Sequence, residues 1–187
     1  MQTLWRCFPW DPRAAPGAPF SASFLTAGQT AGRFDLQDDP LVRYLAESAD
    51  HAVGEALARF RGTILNRRHL RRRSHPLALV AVSVSQSLLA RVVDCTDPKV
   101  LARRDIRPDD LSHHDRGRTQ EIARRLHNDP DVSGLRWWSA LTGAWHTVVV
   151  FTDRERAGDI AFGAPVELTL ESDALQRACE LLGIRRS

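Results

Sequence analysis

Three side chains with chemical potential stand eleven residues apart: Arg33, Tyr44 and Glu55. Arg33 follows Gly32 in AGRF, and a guanidinium beside a flexible glycine suits two-pronged recognition of a phosphate or carboxylate. Tyr44 is the only tyrosine in the chain; it can stack on a flat ring or simply pack in a strand. Glu55 lies in HAVGEAL, where Gly54 costs helix stability and small neighbours let a ligand approach the backbone. Plainer readings exist for each: a surface arginine in a turn, a packed tyrosine, an exposed helix glutamate. Singly, none is specific.

These residues need elements to hold them. TLWRCF (3–8) reads as a first strand, followed by the Pro/Gly-rich loop DPRAAPGAP. Residues 41–46 read as extended. Ser48 predicts a helix N-cap, and Ala49, Ala52, Val53, Ala56, Leu57 and Phe60 follow with helical spacing. The apolar stripe centres near Ala49, Ala56 and Phe60, which leaves Glu55 off its middle. LALVAVSV (77–84) and ARVVDCT (90–96) read as strands, with Asp97-Pro98 ending the second. Short helices and turns fill 97–116, and Thr119 is expected to cap a helix through QEIARRLHN. Strands follow at 133–138 and in WHTVVVF (145–151), then an extended APVELTL. A last helix spans DALQRACELLG, with Gly183 as its stop. Strands and helices do not alternate regularly, which favours one α+β domain over 1–187, with mixed or antiparallel sheets and flanking helices.

Composition bounds the rest. The 187 residues are 43% hydrophobic and 26% charged, enough for a real core and against wholesale disorder. No apolar run is long enough to span a bilayer, and MQTLWRCFPWDPR lacks the apolar core of a signal peptide. Cys7, Cys95 and Cys179 form no CxxC pair, so reduced thiols in the cytoplasm are the simplest reading. GxGxxG, Walker and GxSxG motifs are absent. His113, His114 and Asp115 read as a polar loop more readily than as metal ligands. Of Trp137 and Trp138, at least one is expected in a core or interface.

Charge is uneven. RFRGTILNRRHLRRR (59–73) holds seven arginines and no carboxylate, while the other residues carry 19 basic against 23 acidic groups. The run could meet nucleic-acid or dinucleotide phosphates, or an acidic partner, or stay a solvated loop. No aromatic residue interleaves the arginines after Phe60, which weighs against nucleic acid.

LWR near the start, then GRFD, YLAES and HAVGEAL, together resemble the RES domain family. These are bacterial toxins of toxin–antitoxin pairs named for an arginine, a glutamate and a serine. Downstream, VVDCTDPKVL, TQEIARRL and GLRWWSALTGAWHTVVVF are similar to family segments as well. The resemblance aligns Arg33, Tyr44 and Glu55 with the family's arginine, tyrosine and glutamate, Ser139 with its serine, and Arg6 with a second arginine. DLQDDP replaces the Pro/Gly-containing stretch usual after the glycine-arginine element, and His146 stands where asparagine is common.

The resemblance implies a fold similar to the ADP-ribosyltransferase toxins and breakdown of NAD at the nicotinamide–ribose bond, with water or phosphate as acceptor. Transfer of ADP-ribose to a protein is the alternative, and a nucleic-acid module using 59–73 is a second one. Breaking that bond develops positive charge on the ribose, as in glycoside hydrolysis. Glu55 would stabilise that cation, and Arg6 and Arg33 would neutralise the pyrophosphate. Tyr44 would stack on nicotinamide or hold the ribose. Ser139 would give one hydrogen bond and not act as a nucleophile. No metal is expected. The implied partner is an Xre-like antitoxin that itself makes any DNA contact, and no membrane is involved.

Overall fold

The computed structural model describes residues 1–36 and 40–187. The QDD of DLQDDP lies outside the described residues. The chain runs β1 (Gln2–Pro9), β2 (Val42–Ala46), α1 (Ala49–Leu57), β3 (Ile64–Leu65), β4 (Arg71–Arg72), β5 (His75–Val84) and α2 (Gln86–Leu89). It continues through β6 (Val92–Asp94), α3 (Pro98–Arg103), α4 (Pro108–Ser112), α5 (Arg116–His127), β7 (Gly134–Trp138) and β8 (His146–Phe151). The last elements are β9 (Ile160–Phe162), β10 (Val166–Glu167), α6 (Asp173–Leu182) and β11 (Arg185–Arg186). This is the α+β class with mixed sheets and flanking helices that the irregular element order predicts. The chain gathers into two compact units.

The first unit comprises Met1–Gln2, Leu25–Leu45 and Val84–Ile160. Its strands lie in the order β2-β8-β7-β6. β7 runs antiparallel to β8, with Leu135 opposite Val149, and parallel to β6, with Val93 opposite Leu135. Val148 to Phe151 are buried in succession, as in a strand covered on both faces. Helix α5 adds Ile122, Ala123 and Leu126 to a core that also holds Phe34, Val42 and Trp137. This helix begins earlier than the sequence predicts. Asp115 is its N-cap, its carboxylate accepting the N–H of Gly117 at 2.9 Å. Thr119, expected as the cap, is buried within the helix. Its hydroxyl donates instead to the carbonyls of Arg33 and, at 3.1 Å, Arg116. Of Trp137 and Trp138, Trp137 lies in the core and Trp138 packs, partly buried, against it.

The second unit comprises Thr3–Phe24, Ala46–Ser83 and Ala161–Ser187. Its sheet is ordered β10-β5-β1, with β4 and β9 also pairing β5 and with Trp5 opposite Ala46. Ser48 caps α1 as expected, its hydroxyl accepting the N–H of His51 at 3.3 Å. The helix ends at Leu57 and tightens into a 3-10 turn over Ala58–Phe60. Its buried face is His51, Ala52, Val53, Gly54 and Leu57, rotated from the stripe expected at Ala49, Ala56 and Phe60. The reason is tertiary: α6 packs along α1. Full burial of Val53 and Leu57 is worth about 1.5–3 kcal/mol each. Gly183 ends α6 at φ 66°, a left-handed turn that glycine enters without strain.

Candidate functional site

The GRFD loop of the first unit is held by a network of side-chain hydrogen bonds. Asp35 is 3% exposed, and a buried carboxylate needs donors. It accepts the N–H of Gly32 at 2.5 Å through Oδ2 and the hydroxyl of Tyr44 at 2.8 Å through Oδ1. The Tyr44 oxygen also accepts the N–H of Phe34 at 2.9 Å. A Cβ on Gly32 would sit 2.3 Å from Asp35 Oδ1 and 2.5 Å from the Tyr44 oxygen, so any side chain there would push the Asp35–Tyr44 pair out of place. From α5, Gln120 Nε2 donates to the carbonyls of Thr30 and Gly32 at 3.0 and 2.9 Å. Arg116 reaches the Ala31 carbonyl.

This network presents Arg33. Its Nη1 donates to the carbonyls of Leu111 at 3.3 Å and His113 at 2.8 Å, at the end of α4. Nη2 and Nε make no hydrogen bond among the described residues. One edge of the fork is thus anchored, and the other two donors can meet an oxyanion. Burial, then the Asp35 charge, pushes the Tyr44 hydroxyl well above the usual phenol range, so it stays a protonated donor.

Ser139 follows β7 and is buried. Its N–H donates to the Trp145 carbonyl at 2.7 Å, and its Oγ accepts the N–H of Leu141 at 3.1 Å. Trp137, two residues before it, meets Phe34 edge-on with centroids 6.4 Å apart. Through Phe34, the Arg33 loop, Tyr44 and the strand leading to Ser139 are therefore packed together.

Arg6 and Glu55 belong to the second unit, on β1 and α1. Glu55 is 48% exposed at its side chain, and its Oε1 lies 3.3 Å from Nε2 of the fully buried His51, one turn earlier. Arg6 donates from Nη1 to the Ala22 carbonyl and from Nη2 to the Phe24 carbonyl at 2.7 Å. It thereby ties down the 22–24 loop, a job the sequence did not suggest.

Sequence reasoning missed Asp35, His51, Gln120 and Arg43. Arg43 forms a buried, two-pronged pair with Glu155 at 3.0 and 3.3 Å. Asp35 and His51 lay inside the quoted GRFD and HAVGEAL motifs, so motif membership was the available signal. His113 accepts from the Asp115 N–H and makes a loop contact. Among the described residues no group of three or more His, Cys, Asp or Glu is placed to hold a metal, and no helix is long and apolar enough to cross a membrane. Burial pushes the Cys7 and Cys95 thiols up to about 12 and raises Cys179. All three are free cysteines.

No curated protein matches the sequence. A solved structure, the M. tuberculosis MbcT–MbcA toxin–antitoxin complex, contains a chain of similar fold, with a TM-score of 0.64 and 20% identity. The match covers 97% of the present chain and 89% of the other. A family model, the RES domain, matches residues 3–171. These residues span both units and carry Arg6, Arg33, Tyr44, Glu55 and Ser139, and the chain belongs to the RES domain family.

Proposed function

We propose that the chain is the toxin of a toxin–antitoxin pair and cleaves NAD at its nicotinamide–ribose bond. Membership of the RES family supports an enzyme of this kind, and the fold shared with the MbcT–MbcA complex agrees with it. The observation that carries the chemistry is Glu55, a half-exposed carboxylate on a capped helix beside a buried histidine. Loss of nicotinamide makes the ribose cationic, and a carboxylate already in place stabilises that charge without reorganising. Arg33 takes the pyrophosphate with Nη2 and Nε while Nη1 keeps its carbonyls. Tyr44 offers its ring face, since its hydroxyl is committed to Asp35. Ser139 contributes a hydrogen bond. Arg6 acts by shaping the 22–24 loop as much as by its charge.

Free NAD turnover would drain the host cytoplasm, so the partner is an antitoxin of Xre-like type that blocks the site. Incubation with NAD, with and without phosphate, followed by product identification tests the reading. Nicotinamide with ADP-ribose marks water as acceptor, and nicotinamide with a phosphorylated ADP-ribose marks phosphate. Label retained on protein marks ADP-ribosyl transfer. Intact NAD after prolonged incubation with folded protein would sink the proposal.

A further inference from the structure

The seven arginines of 59–73 are joined in the fold by two more. Strand β11 lies parallel to β3, with Arg185 opposite Ile64 and Arg186 opposite Leu65. All nine are exposed. Arg59, Arg67, Arg68, Arg71, Arg72, Arg73, Arg185 and Arg186 make no ion pair with an Asp or Glu among the described residues. The second unit carries twelve arginines against eight carboxylates, whereas the first carries fourteen basic against fifteen acidic groups. Like charges crowded in excess of their counter-ions oppose folding, and an anionic partner relieves that cost.

The cluster also has a shaped surface. A groove of about 410 Å³ is lined by Arg67, Arg68 and Arg71 together with the buried Leu70 and Leu168 and the half-buried Leu170. Arg186 Nη1 donates to the Leu170 carbonyl at 3.3 Å, so a fourth guanidinium stands at this groove. None of Arg6, Arg33, Tyr44, Glu55 or Ser139 lines it.

We propose that this groove docks an acidic polypeptide segment of a partner protein, with an aliphatic side chain against Leu170 and carboxylates on the arginines. Guanidinium forks match carboxylates in two-pronged pairs, and complementary charge speeds encounter. A nucleic acid fits less well. The apolar lining is aliphatic, and no aromatic ring lines the groove for a base to stack on. Glu167 and Glu171 line the same groove and would face an unbroken phosphate backbone. A peptide can place neutral or basic residues opposite them. The inference extends the partner-restrained toxin reading but does not require NAD to be the substrate.

The test uses the full chain and three fluorescent probes read by polarisation: a short Glu/Leu peptide, the same peptide with Ser for Leu, and an oligothymidine. The Glu/Leu peptide is expected to bind, to weaken at high salt, and to lose about tenfold in affinity, near 1.4 kcal/mol, in an R68E/R71E double variant. The Ser peptide is expected to bind several-fold more weakly. Melting temperature and NAD turnover of the double variant are expected to stay unchanged. Should it misfold, R68Q/R71Q replaces it. Equal affinity for both peptides, or no loss in the folded variant, overturns the groove; tighter binding of oligothymidine overturns it in favour of nucleic acid. NAD turnover, read on the same samples, fails or succeeds independently of all three.

Discussion

The hydroxyl of Tyr44 donates a 2.8 Å hydrogen bond to the buried carboxylate of Asp35. The same oxygen caps the Phe34 N–H, so one side chain from β2 sets the shape of the loop that presents Arg33. Tyr44→Phe leaves a buried carboxylate and a backbone N–H short of a partner. We expect a loss of about 1–3 kcal/mol in urea unfolding, with turnover falling less than stability does. Normal stability with abolished turnover would instead place the hydroxyl on the substrate.

Glu55→Gln keeps the size and the contact with His51 but removes the charge. The variant is expected to fold and melt like the parent while NAD cleavage falls at least about 100-fold. Single-turnover measurement of nicotinamide release decides the point, and parental rates would remove Glu55 from catalysis.

Arg33→Lys retains one cation but cannot anchor two carbonyls and still offer a planar fork. In a Glu55→Gln background, where NAD survives, calorimetry is expected to show about tenfold weaker binding. Unchanged affinity would make Arg33 a purely structural tie between the loop and α4.

Asp159 carries the pH prediction. Its carboxylate accepts from Ser85 Oγ at 2.5 Å, the Arg156 N–H at 2.9 Å and Ser87 Oγ at 3.4 Å. The Ser85 bond leads these in holding the carboxyl below its usual range. Because the folded pKa lies below the unfolded one, the ion contributes its full stability above the unfolded value of about 3.9. That contribution disappears as pH falls through the folded pKa. Asp159→Asn is expected to lower stability at neutral pH by about 1–3 kcal/mol and to flatten the acid limb. Parallel stability–pH curves for the two proteins would refute it.

The legible features were local ones. Ser48 as a cap, Gly183 as a stop and the β-branched run of β8 follow from one stretch of chain each. Thr119 misled because its hydroxyl serves a residue 86 positions away, the Arg33 carbonyl, while the true cap, Asp115, sits before Gly117, a poor helix former. The face of α1 was misjudged because α6, more than a hundred residues on, decides which side is covered. The resemblance to the RES family, carried by several motifs together, pointed to Arg33, Tyr44 and Glu55. It could not show that Tyr44 spends its hydroxyl on Asp35 or that Arg6 holds a loop, since both follow from side chains meeting in three dimensions.

The second unit is assembled from three separated stretches, the last being residues 161–187. The first unit has all its segments once residue 160 has been made. At about 5–20 residues per second, a ribosome needs a further second or more to supply α6 and β11. Until then α1 lacks the helix that covers it, β3 lacks its parallel neighbour, and the groove lacks Glu167 to Glu171 and Arg186. A chain that stops short of residues 161–187 therefore offers a partner no finished groove.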